Sequence, residues 1–272
     1  MLKFFILFIF TVILSAHEVG FNGKSVSISL CYPDGEVIIG NQHFPVIKDP
    51  ENPSKGLALI PIDYYAQPQK TIIKWKHMGG IEWYSFEILS FPYPTETLSV
   101  DSSKVTPPAE ALQQIEYEKK EAENLYNTIT PKRYWSKRFI PPMQSEITSL
   151  YGSARTYNGV LKSYHSGVDF RARTPLPIAA TNDGKVVLVK ERYYAGGTVI
   201  VDHGEGIYSC YFHMSQFHVY VGDYVKQGDI LGLTGATGRI TGPHLHFGIM
   251  LNGFQTDPLY FIDVINTSIR SE

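Results

Sequence analysis

The 272-residue chain is long enough for one large domain or two modest ones, and its 43% hydrophobic content supplies a core for either, which excludes disorder throughout. Its 24 basic and 26 acidic residues are interspersed and sum to a formal charge of -2, so there is neither a basic face for nucleic acid nor an acidic tail. With only two cysteines, a disulfide scaffold is excluded as well.

At the start of the chain, Lys3, an apolar run over residues 4–14 interrupted only by Thr11, and the small pair Ser15-Ala16 make a secretory signal pattern over residues 1–16. The run falls short of the ~20 residues that a membrane span needs, so a removed signal is expected rather than a retained anchor. Leu14 is not small, which leaves the cleavage point open. No later segment is apolar enough to span a bilayer, and an exported protein of the periplasm or cell envelope is expected.

Residues 17–100 carry short runs rich in β-branched and aromatic residues at 26–30, 37–39, 71–75 and 83–88. Pro33-Asp34-Gly35, Asp49-Pro50, Pro68 and Gly79-Gly80 separate them, and this spacing predicts a small antiparallel β-sandwich. A helical linker is expected over 101–140. Pro107-Pro108 opens a stretch free of Gly and Pro to about residue 128, with Leu112, Ile115, Ala122, Leu125 and Ile129 set among Glu and Lys. It reads as one amphipathic helix packed on a neighbouring domain.

Pro141-Pro142 marks entry to a second domain, residues 141–272. Short strands alternate there with glycine turns and no helical periodicity is evident, so the whole chain is expected to be mostly β, with an antiparallel C-terminal half. Cys31 and Cys210 fall in different domains and are expected to be free and buried rather than bridged.

Six of the nine histidines follow residue 160. His165-Ser166-Gly167-Val168-Asp169 sets an imidazole and a carboxylate four residues apart, and His244-Leu245-His246 sets two imidazoles two apart. In extended chain, even spacing puts each pair on one face, with Leu245 and Phe247 on the opposite, apolar one. Two such pairs facing each other offer the nitrogen and oxygen donors that zinc prefers. There is no Cys-x-x-Cys, and three ligands, His165, Asp169 and His246, would leave one position for water, as in a hydrolytic rather than a structural site. His213 and His244 are the surplus histidines for holding the proton and the oxyanion. His203 and His218 read as ordinary turn and surface residues. Glycines 232, 235, 238, 242 and 248 make the approach to His246 turn-dense, able to fold tightly beside a substrate chain.

Five stretches in order carry a family resemblance: Tyr151-Gly152-Ser153-Ala154-Arg155, His165-Ser166-Gly167-Val168-Asp169-Phe170, Tyr211-Phe212-His213-Met214-Ser215, residues 221–228, and residues 237–247 with Gly242-Pro243-His244-Leu245-His246. Residues 140–263 resemble the lysostaphin and LytM type of zinc metalloendopeptidase, and the preceding β-rich module resembles the N-terminal region of exported members. The resemblance implies Zn2+ on His165, Asp169 and His246, with His213 and His244 flanking the water and the scissile carbonyl. It also implies a groove in an antiparallel sheet that accepts stem and cross-link peptides of peptidoglycan, the D,D cross-link first among them, with D,D-carboxypeptidase action as a side activity, in wall remodelling and cell shape. Arg155 and Arg239 are expected to hold a stem-peptide carboxylate through forked hydrogen bonds. Tyr157 or Tyr164 takes the place of a tyrosine that steadies the oxyanion in some relatives. A monomer without nucleic-acid partners is expected. The alternative is a catalytically silent wall-binding or amidase-activating regulator of the same fold.

Overall fold

The computed structural model describes residues 19–173 and 175–269; the expected signal segment, residues 1–16, lies outside the described residues. The N-terminal module is one sheet of seven strands, Val19–Phe21, Ser25–Leu30, Glu36–Ile39, Gln42–Lys48, Gly56–Pro61, Gln69–His77 and Gly80–Leu89. Neighbouring strands pair antiparallel except the first, which runs parallel to the last. The first two strands form the two free edges, yet they are consecutive in the chain and touch, so the sheet curls into a nearly closed barrel. The facing layers expected of a sandwich thus come from one continuous sheet. Inward positions follow the period of two that a half-buried strand requires: Thr71, Ile73 and Trp75 are buried while Lys70, Ile72 and Lys74 face outward.

Helix α1 spans Ala109–Tyr126 and lies against the strand Gly184–Arg192. Its buried face is Ala111, Glu118 and Ala122, whereas Leu112 is exposed. Of the expected stripe, Ala122 is buried and Leu125 packs on a buried cluster, and a polar anchor joins them on that face. The Glu118 carboxylate accepts the backbone N–H of Tyr193 at 2.9 Å, and Lys190 donates to Glu121.

The C-terminal half is built on a ten-stranded sheet whose centre orders Gly184–Arg192, Gly196–Gly204, Ile207–Phe217, His244–Leu251 and Val168–Arg171 side by side. It is not wholly β. A second helix, α2 (Pro258–Ser268), follows the last strand; Asp257 caps it by accepting the N–H groups of Leu259 and Tyr260, and Pro258 occupies its first position. Asp257-Pro258 is a helix-start signal in the sequence, outweighed there by the absence of a long period.

The two halves share one core. Leu57 and Leu59 from the barrel, Trp135 and Phe139 from the connector, and Phe170, Tyr211, Phe247 and Phe261 from the C-terminal half form a single buried cluster. Each such side chain stabilises by about 1.5–3 kcal/mol when buried, so this cluster fastens the halves together, while a separate cluster that includes Val37, Phe44, Ile73, Trp75 and Phe86 fills the barrel itself. Lys24 ties the barrel to the cap of α2 through Asp257 at 3.0 Å. No helix among the described residues is long and apolar enough to cross a membrane. Both cysteines are free; Cys210 is buried as expected, but Cys31 is exposed. His203 is not a turn residue at the surface. It is buried, with Nδ1 on the Asp183 carbonyl and Nε2 on the Ser209 hydroxyl, both at 2.8 Å, while His218 is exposed.

Candidate metal centre

The strand His244–Leu251 lies between Val168–Arg171 and Ile207–Phe217. In this register Asp169 and Phe212 flank His246 on either side, and Arg171 sits opposite His244. Alternation sends Leu245 and Phe247 into the core and turns His244 and His246 to the other face, as their spacing requires. His165 reaches the same point by another route. The segment from His165 to Gly167 is a bend between the strands Leu161–Tyr164 and Val168–Arg171, not the continuous strand that the even spacing suggests. His165 donates its backbone N–H to the Ser153 carbonyl, which holds the bend in place.

The three expected ligands converge. His165 Nε2 lies 2.8 Å from Asp169 Oδ1, His246 Nδ1 lies 3.0 Å from the same oxygen, and the two nitrogens are 3.0 Å apart. All three residues are buried. Protons alone do not satisfy this cluster. The Leu150 carbonyl, 2.9 Å from His165 Nδ1, can only accept, so it shares the Nδ1 proton with Ser149 Oγ at 3.1 Å and leaves Nε2 to face the carboxylate oxygen. Burial lowers the pKa of His246 to about 4, so that ring is neutral near pH 7. Burial alone would raise the Asp169 pKa, but hydrogen bonding to His165 and His246 overcomes it and holds the carboxyl well below the usual range. Two neutral imidazoles and one carboxylate with converging lone pairs fit a divalent cation, and the donor set is one that zinc takes.

His213 and His244 stand beside the cluster, their rings 4.8 Å apart. His213 donates Nδ1–H to the Thr237 carbonyl at 2.7 Å, and His244 donates Nδ1–H to the Gly242 carbonyl at 2.8 Å. Each therefore keeps a free Nε2; that of His244 is 3.5 Å from Asp169 Oδ1. Burial, then the neighbouring His244 and His246, lower the His213 pKa to about 3. His213 adopts a left-handed backbone, φ 64°, an uncommon conformation for a residue with a side chain and one found where a site needs a particular aim.

A cleft of about 290 Å³ opens over this group, lined by Tyr164, His165, Tyr194, His213, Arg239 and His246. A second of about 180 Å³ adjoins it beside Glu96, Asp169, Thr241 and His244. Arg239 lies 4.4 Å from the Tyr157 ring and 4.8 Å from the Tyr194 ring, and its guanidinium makes no hydrogen bond among the described residues. Arg155 lines both clefts, as expected, but it is also anchored from behind. Its guanidinium donates to Glu96, Ser149 and Asp169 at 2.8 to 3.0 Å, so the fork expected to hold a substrate carboxylate already holds two of the chain's own. Tyr157 is buried and accepts from Arg155 at 3.4 Å, while Tyr164 donates to Gln255 at 2.8 Å. Thr237 and Ser149 join the site without having been singled out in the sequence. Thr237 precedes the glycine turn at Gly238, whereas Ser149, 3.1 Å from His165 Nδ1, carries no local signal.

Gly167 has a steric reason to be glycine. A methyl group there would meet the Phe247 carbonyl at 2.4 Å and His246 Nε2 at 2.6 Å. Gly167→Ala is expected to displace the His246 ring and weaken zinc binding by about tenfold or more, as changes next to metal ligands do. Zinc titration against a chromophoric chelator measures this, and wild-type affinity in the variant would contradict the packing argument.

A buried His-Asp-His cluster with two further histidines at the floor of a cleft in an antiparallel sheet is the constellation of a metallopeptidase. Residues 163–258 match the model of Peptidase family M23, and the chain carries an M23 metallopeptidase domain. ShyB of Vibrio cholerae, a peptidoglycan DD-endopeptidase, is 38% identical over 95 residues, 35% of this chain and 22% of ShyB. Lysostaphin of Staphylococcus simulans is 39% identical over 118 residues, 41% of this chain and 24% of its own length. The DD-carboxypeptidase/endopeptidase Mpg of Neisseria meningitidis is 35% identical over 95 residues, with 35% and 22% covered. This chain thus spans less than a quarter of each of these relatives. A crystal structure from Pseudomonas aeruginosa assigned to peptidase M23 superposes with a TM-score of 0.71 at 26% identity, covering 90% of this chain and 95% of that one. That coverage takes in the barrel as well as the M23 domain.

Proposed function

We propose that this chain is a zinc-dependent endopeptidase of the bacterial cell envelope that hydrolyses D,D cross-links of peptidoglycan, and that it acts as an exported monomer. The observation that carries the reading is the convergence of three buried ligand atoms, three among the described residues, beneath an open cleft flanked by the Nε2 atoms of His213 and His244. Similarity to relatives named as DD-endopeptidases, one also as a DD-carboxypeptidase, supports the substrate class. When bound, zinc polarises the scissile carbonyl and lowers the pKa of its water to about 7. His213 accepts the proton of the attacking water at Nε2 while Thr237 fixes its tautomer. His213 then returns that proton to the leaving amine, and His244, its ring 4.8 Å from that of His213, steadies the developing oxyanion when Nε2 carries a proton. Arg239, held between Tyr157 and Tyr194 with donors to spare, binds a stem-peptide carboxylate.

Purified protein incubated with cross-linked muropeptides is expected to release uncross-linked products of the mass that D,D hydrolysis gives, and a chelator is expected to stop it. Intact cross-links with added zinc would refute the proposal.

A further inference from the structure

Outside the M23 match, the strand Thr95–Leu98 leaves the barrel and pairs in parallel with Ala154–Tyr157, setting Glu96 opposite Arg155. The Glu96 carboxylate is used twice. Oε2 accepts from Arg155 Nε at 2.9 Å, and Oε1 accepts from the Ser149 hydroxyl at 2.7 Å. Each partner then touches a metal ligand. Arg155 donates through Nη2 to Asp169 Oδ2 at 3.0 Å and to Ser149 Oγ at 2.8 Å, and Ser149 Oγ sits 3.1 Å from His165 Nδ1. Without its fork partners, Arg155 would be a mobile cation free to pull Asp169 Oδ1 out of line.

We propose that Glu96 is a positioning residue for the metal centre, setting Asp169 through Arg155 and His165 through Ser149, so that the site depends on a strand supplied from outside the M23 domain. The inference rests on the reading that His165, Asp169 and His246 hold zinc. Groups behind the ligands fix ligand orientation, and their loss typically costs 10–100-fold in metal affinity. Glu96 does this from one side only. His246 is held from the other side by the Phe212 ring, stacked at 5.2 Å.

The test is the zinc dissociation constant of the full chain, read by competition with a chromophoric chelator, in wild type and in Glu96→Gln. The metal-free melting temperature is measured alongside. Gln keeps the shape and an acceptor for Ser149 but gives up the charged fork to Arg155. A 10–100-fold weaker constant is expected, with the kcat of the zinc-saturated protein recovering more than its affinity. If Glu96→Gln does not fold, Glu96→Asp keeps the charge one methylene short and is expected to weaken zinc several-fold. A variant that melts lower but binds zinc within twofold of wild type makes Glu96 a structural strut and overturns the inference alone. Wild type that fails to bind zinc stoichiometrically overturns the metal reading and this inference together.

Discussion

Asp169→Ala is expected to lose stoichiometric zinc and to cut muropeptide cleavage by at least about 10³-fold, a barrier increase of about 4 kcal/mol. The reason lies in the cluster's charge. Asp169 supplies the only carboxylate among its three ligands, and both nitrogens are set around its Oδ1 at 2.8 and 3.0 Å. Removing it leaves two neutral imidazoles facing a divalent ion and leaves Arg155 with one counter-charge fewer beside them. That Arg155 is largely buried, and taking one partner from a buried ion pair typically costs about 3–5 kcal/mol, here reduced because Glu96 remains on the guanidinium. The metal-free variant is therefore expected to melt lower than wild type and to show no upward shift on adding zinc. Metal analysis after dialysis, paired with cleavage rates at saturating zinc, decides it. A variant that keeps a tenth of wild-type cleavage would show that the carboxylate is not a ligand. Adding His246→Ala is expected to cost little more, since groups acting as one unit are not additive.

The convergence of His165, Asp169 and His246 was partly readable in the sequence because strand geometry is simple. His244 and His246 share a face through a period of two, and the apolar residues between them fix which face that is. The pairing with Asp169 needed register, which no local pattern encodes. His165 was found for an incomplete reason: even spacing suggests one strand, but a bend at Gly167 does the work. The anchoring of Arg155 was not legible because its partner Glu96 is 59 residues away, on a strand that pairs across the boundary between modules. Helix α2 was missed although its cap was visible, since eleven residues offer too few turns for periodicity to show. On α1, the apolar stripe did not reveal the buried Glu118 carboxylate that joins Ala122 and Leu125 on that face. For Arg155 and for Glu118 a long-range polar contact decided the outcome, and such contacts leave no periodic trace.

His213 separates chemistry from metal binding, and its replacement tests the division of labour within the site. His213→Asn is expected to lower kcat by about 10²–10⁴-fold, the usual contribution of general acid–base catalysis, with zinc affinity within a few-fold of wild type. Asn is the substitution of choice because position 213 has φ 64°, a left-handed conformation that Asn tolerates better than Ala does. The backbone N–H of residue 213 donates to the Ala195 carbonyl at 2.9 Å, a contact that the variant keeps. What it loses is a neutral ring whose Nδ1 proton is committed to Thr237 and whose Nε2 is free to take a proton, an arrangement that the shorter amide cannot reproduce. Since His213 is not one of the three converging ligands, KM and metal content are expected to move little. Loss of zinc from the variant would instead make His213 a ligand, and a kcat within tenfold of wild type would hand the proton to His244.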